Sequence, residues 1–205
     1  MRTLVIDTTS IWLSAALFEG DMLVGAQHMN VGRGHAEQLV PVIASLPDGG
    51  RADHIRVGCG PGSFTGTRIG IAAARALAFA WNAQFSGFDS TALIAVVGRQ
   101  VACDDDVAVV CDGGHGQWLV RAPQQAARAL DPAAAAVTIQ AHWIAGNRAA
   151  DCVAMRGWGQ AIDADVDARA AIGLADSESF DHVRPLYARE PDAKPNATMP
   201  LAGPS

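Results

Sequence analysis

The segment Gly60-Pro61-Gly62-Ser63-Phe64-Thr65-Gly66-Thr67-Arg68-Ile69-Gly70 constrains the fold of this chain more than any other. It follows a strand-like run at residues 55–59 and precedes a long apolar helical pattern, so it closes a strand–loop–helix unit. Glycine and proline together fix an unusual backbone path. Ser63 and Thr65 are natural N-caps. A loop of this kind at a helix start points backbone N–H groups at one spot, which makes an anion cradle. The alternative is a structural turn in which Gly60 and Gly62 serve tight geometry and close helix–sheet packing. No Lys follows the last glycine, so the loop is not a Walker A motif.

The rest of the chain has an α/β pattern. Residues 3–6 read as a buried strand ending at the turn Asp7-Thr8-Thr9-Ser10. Strands follow at 12–18 and 22–28 across the turn Glu19-Gly20-Asp21. Ala36, Leu39, Val40 and Ile43 recur at i, i+3, i+4 and i+7, which predicts a helix over 35–46, stopped by Pro47-Asp48-Gly49-Gly50. After the glycine loop we expect a helix over 67–82, a strand at 85–88 and a helix over 91–101. Cys103-Asp104-Asp105-Asp106 marks a boundary. We therefore divide the chain into a lobe 1–103, a reduced lobe 104–190 and a Pro-rich, disordered tail 191–205.

The second lobe opens as the first does. Val107 to Cys111, the turn Asp112-Gly113-Gly114-His115-Gly116 and residues 117–121 repeat strand, Asp-led turn and strand, and Val5-Ile6-Asp7 overlays Val110-Cys111-Asp112. This indicates an internal duplication. Two such hairpins facing each other across a cleft resemble the actin-like ATPase, sugar kinase and Hsp70-type fold, where they hold phosphates and metal. The simpler reading is that Asp7 and Asp112 stabilise their turns. Beyond this point we expect partly helical segments at 126–129 and 133–136, a strand at 151–155 and a short helix at 168–175.

A net charge of −6 makes the chain a poor binder of nucleic acid on its own. The four cysteines lack CxxC spacing and read as buried free thiols of a reducing cytosol. No signal peptide or bilayer-spanning run is visible, and the expected location is cytoplasmic. No two histidines are spaced HxxxH, no GxSxG elbow occurs, and Ser63 has no evident base, so no catalytic set, metal or cofactor is expected. Between Thr67 and Trp81 the only charged residues are Arg68 and Arg75. A helix with so little charge needs cover nearly all round; it is either a central helix buried wholly within one domain or one covered in part by a second subunit, and we expect the second.

The glycine loop resembles the signature of the bacterial TsaB (YeaZ) family. Leu4-Val5-Ile6-Asp7-Thr8-Thr9, His35-Ala36-Glu37-Gln38-Leu39-Val40-Pro41, the turn at Asp112 and Arg184-Pro185-Leu186-Tyr187-Ala188-Arg189 are similar to further family segments. Thr67 departs from the bulky aliphatic residue usual at its position. The resemblance implies a non-catalytic scaffold of the machinery that makes threonylcarbamoyladenosine in tRNA. Its partner would be a TsaD-type catalytic paralogue, which carries the HxxxH metal site that this chain lacks. A TsaE-type ATPase would join through the complex, tRNA would be met only indirectly, and a homodimer is possible in isolation. The expected interface comprises His35, Leu39, Val42, Ile43, Arg68, Ile71, Ala74, Arg75 and Ala78. Asp7, Thr8, Gly60, Gly62, Ser63, Thr65, Gly66 and Asp112 would form a vestigial nucleotide or anion site. The rival is an active small ATPase or kinase using Asp7, Asp112 and the loop. A glycoprotease reading finds no metal site in this sequence.

Overall fold

The computed structural model describes residues 1–188, so the 191–205 tail and Arg189 lie outside the described residues. Strands β1 (Arg2–Asp7), β2 (Trp12–Glu19) and β3 (Met22–Asn30) form an antiparallel meander. Helix α1 (His35–Ala44), β4 (His54–Gly58), α2 (Phe64–Trp81), β5 (Gln84–Phe88) and α3 (Ser90–Ala102) follow. The second half repeats the series as β6 (Val107–Asp112), β7 (Trp118–Arg121), β8 (Arg128–Leu130), α4 (Pro132–Thr138), β9 (Trp143–Ala145), α5 (Ala149–Arg156) and β10 (Gln160–Ile162). A two-residue strand, β11 (Ser179–Phe180), comes last.

The sheet orders are β11-β5-β4-β1-β2-β3 and β10-β9-β6-β7-β8. Apart from β11, the two sheets have one topology, with β6 in the place of β1 and β7 in the place of β2. The duplication suggested by two Asp-led turns extends through both lobes, and the architecture is the two-lobed α/β fold of the actin-like type.

Side-chain alternation builds the layers. Leu4 and Ile6 point to α1 and α2, while Val5 points to α3 and a 3-10 helix over Ala168–Gly173. Val109 and Cys111 meet Ile94 and Ala95 of α3, while Ala108 and Val110 face Ala135 of α4 and Cys152 of α5. Helix α3 is therefore the middle layer between the two sheets. Residues 90–96 are all buried. The close enclosure expected for the helix after the glycine loop belongs to α3 instead.

Four sequence expectations are corrected, the burial of Cys103 among them. Residues 151–155 are helical, within α5, because Ala149 and Cys152 are buried at a spacing of one turn while Asp151, Ala154 and Met155 are exposed. Residues 126–129 are not helical and lead into β8, which pairs with β7. Helix α2 starts at Phe64, not 67, because the Ser63 hydroxyl accepts from the Gly66 amide. Cys59, Cys111 and Cys152 are buried and Cys103 is exposed; burial pushes the Cys59 and Cys111 thiols up to about 12. No helix among the described residues is long and apolar enough to cross a membrane.

The last segment leaves the second lobe and returns to the first. The Ala168 amide donates to Ser14 Oγ at 2.8 Å, β11 pairs with β5, and the Leu186 amide donates to the Cys59 carbonyl at 2.7 Å. A buried ion triad crosses between the lobes. Arg121 of β7 donates to Asp89 Oδ2 at 3.0 Å and to Glu178 Oε1 at 2.6 Å. Asp89 also caps α3, its Oδ1 accepting from the Thr91 amide and hydroxyl.

Candidate functional site

The glycine loop packs directly on the β1–β2 turn. The Ser63 amide donates to the Thr9 carbonyl at 2.6 Å, and Thr8 Oγ1 donates to the Gly66 carbonyl at 2.8 Å. A Cβ at Gly62 would lie 2.3 Å from the Thr9 carbonyl oxygen, and one at Gly66 would lie 2.0 Å from that of Thr8. Glycine is required here because two backbones touch. Several amides of the loop and the helix start are engaged within the chain: Gly60 on Ser90 Oγ, Ser63 on Thr9, Gly66 on Ser63 Oγ and Thr67 on the Ser63 carbonyl. Thr65 is exposed on the first turn of α2.

Asp7 is fully buried. Its Oδ1 accepts from the Thr9 amide and hydroxyl, while its Oδ2 is buried without a hydrogen-bond partner of good geometry. Burial raises its pKa against the lowering effect of Ser90 and Thr9. Asp112, by contrast, is exposed. Its Oδ1 accepts from the Gly114 amide and its Oδ2 pairs with Arg148 at 3.2 Å, and these contacts lower its pKa. The two aspartates that the sequence places alike thus sit in opposite environments. Asp165, which sequence patterns do not single out, is the carboxylate whose charge raises the pKa of both Asp7 in one lobe and Cys111 in the other. Ser90 and Arg148 were equally unmarked, since each reaches its partner only through the tertiary fold.

A folded-state pKa above the unfolded value means that the native state holds a proton which the unfolded chain has released. Asp7 therefore costs stability as pH rises from the ordinary carboxylate range through its raised folded value. Asp7→Asn should flatten that decline and be more stable than the parent at pH 7. Denaturant midpoints measured from pH 4 to 8 check this; an equal slope in both proteins would contradict it.

Of the nine residues expected at an interface, Leu39, Val42, Ile43, Ile71, Ala74 and Ala78 are buried in the first lobe's own core. His35 is also buried, with Nε2 3.3 Å from the Trp12 carbonyl oxygen. Only Arg68 and Arg75 are exposed. The outer face of α2 has a different set. Phe79 is 91% exposed and Phe64 59%, with Ala72, Ala76 and Ala80 open between and beyond them. Val40 on the adjacent α1 is 59% exposed. At one end the Arg68 guanidinium lies 3.3 Å from the Phe64 ring centre, and Tyr187 packs against Phe64 at 5.9 Å.

A family model described as TsaD, tRNA N6-adenosine threonylcarbamoyltransferase, matches residues 29–164. An uncharacterised protein of Mycobacterium tuberculosis is 33% identical over 95% of this chain and 94% of its own length. The structure of YeaZ from Pseudomonas aeruginosa superposes with a TM-score of 0.74 and 26% identity, covering 91% of this chain and 99% of that one. The chain belongs to the TsaB (YeaZ) family. A further relative, the tRNA threonylcarbamoyladenosine biosynthesis protein TsaB of Bacillus subtilis, is 31% identical over 57% of this chain and 52% of its own. With YeaZ the likeness extends through both lobes.

Proposed function

We propose that this chain takes part in forming threonylcarbamoyladenosine in tRNA as a non-catalytic scaffold that pairs with a TsaD-type paralogue. The observation that carries this reading is the exposed apolar face of α2, where a 91% exposed Phe79 stands among alanines. Exposed faces of this kind mark association surfaces. The partner would cover Phe64, Ala72, Ala76 and Phe79, with Arg68 and Arg75 at the rim and Val40 of α1 alongside. In the absence of TsaD the same face would serve a homodimer. A TsaE-type ATPase would join through the assembled complex, in the cytoplasm. The net charge of −6 supports indirect contact with tRNA, so the chain alone should bind tRNA weakly.

Co-purification with the cell's TsaD homologue tests the pairing. Phe79→Glu should leave the circular dichroism spectrum unchanged and weaken association at least tenfold, because a carboxylate left unpaired in an apolar interface costs about 2 kcal/mol or more. Ala74→Glu should unfold the chain, since Ala74 has no exposed surface. Unchanged association of the Phe79 variant would refute this face. The rival reading would be favoured by Mg²⁺-dependent ATP turnover of the isolated chain that Asp7→Asn abolishes. The full burial of Asp7 favours no such turnover.

A further inference from the structure

A cavity of about 930 Å³ lies on the other face of the first sheet, at the end where β1, β4 and β5 begin. Its volume lies within the range of about 300–1,000 Å³ typical of small-molecule sites. Its floor is polar. Ile55 and Val57 turn toward the core under α1 and α2, so the alternate residues His54 and Arg56 turn into the cavity. Ser86 of the neighbouring β5 joins them: His54 Nε2 and Ser86 Oγ are 2.8 Å apart. On one side Arg56 donates to Ser179 Oγ at 2.7 Å and is engaged by a further interaction. Ile172 and Leu174 supply an apolar part of the lining.

The charges in the lining are mixed. Arg56 supplies a cation, and Asp181 and Asp21 supply carboxylates. Burial and Arg56 lower the pKa of His54 while Asp181 raises it, so the imidazole lies within the field of both signs and its neutral form is favoured. A simple anion would be drawn to the guanidinium and repelled by the carboxylates, and a simple cation would meet the reverse. A molecule carrying both charges satisfies both.

We propose that this cavity binds a zwitterionic small molecule of amino-acid or short-peptide type. Its carboxylate is held by Arg56 with Ser86 and Ser179, its ammonium group is held toward Asp181, and its side chain lies on Ile172 and Leu174. The Ser86–His54 pair supplies a donor and an acceptor that adjust to the ligand.

The test follows the ring resonances of His54 by NMR in the full chain during titration with glycine, L-leucine and glycyl-L-leucine. Inorganic phosphate and ethylammonium serve as single-charge controls. L-leucine or the dipeptide should shift His54 saturably, and neither control should. Arg56→Gln and the exposed Asp181→Asn should each weaken binding at least tenfold while the protein stays folded by circular dichroism. Saturation by phosphate alone at equal affinity would overturn the zwitterion assignment in favour of an anion site. The absence of a saturable shift with all three zwitterions would make the cavity a solvated sheet face, as would binding indifferent to Asp181→Asn.

Discussion

Arg121→Met should destabilise the protein by about 3–5 kcal/mol and lower the thermal midpoint by roughly 10 °C. Arg121 is only 9% exposed and is held between Asp89 and Glu178. Its removal leaves two mostly buried carboxylates facing each other without a cation. Breaking a buried pair by deleting one partner is costly for this reason, even where the intact pair adds little net stability. Glu178 Oε2 is already buried without a partner, so the site has no spare donor to compensate. The triple replacement Arg121→Met, Asp89→Asn, Glu178→Gln should recover much of the loss, with asparagine retaining a capping oxygen for α3. Urea denaturation of the single and triple variants measures both. A single-variant loss below about 1 kcal/mol would show that water reaches the triad.

Gly66→Ala should cost roughly 3 kcal/mol, although it places alanine inside a helix where alanine ordinarily gains about 1 kcal/mol over glycine. The new Cβ would fall 2.0 Å from the carbonyl oxygen of Thr8, a backbone atom held in the turn after β1. The turn cannot swing aside without disturbing the hydrogen bonds that close it. Gly70→Ala, one turn further along, would approach Thr8 Oγ1 at 2.3 Å, which is a side-chain atom. That hydroxyl can rotate away at the loss of its bond to Gly66, worth about 1 kcal/mol. Gly70→Ala should therefore be the milder change, and milder still in a Thr8→Ala background. Equal costs at the two glycines would contradict this account of the contact.

The contrast between these glycines shows how far the sequence could be read. The loop's position between a strand and a helix is a local property, and so are the two Asp-led turns that lead to the duplicated topology. The partner of each glycine is not local, since Thr8 and Gly66 meet across 58 residues. The same limit explains the interface residues. Both faces of α2 are apolar, so hydropathy does not say which one meets the sheet. The buried stripe turned out to be the small one, Gly66, Gly70, Ala74 and Ala78, because the helix lies close on β1 and β4. In α5, a run of eight residues in which only Asp151 and Arg156 are polar, the apolar positions are too continuous to show a period that separates helix from strand. Asp165, Arg121 and Glu178 carry no motif at all and acquire meaning only when the last segment crosses back to the first lobe.

Helix α3 belongs to neither half of the molecule alone. Ala92, Leu93 and Val96 complete one core and Ile94 and Ala95 complete another. Cutting the chain at residue 103 would leave a first lobe with a bare apolar stripe and a second lobe without the layer that closes its sheet. A duplicated architecture of this kind has two copies of a pattern but one folding unit. The two halves should therefore melt together, because a helix that follows the first copy of the repeat and precedes the second completes both cores.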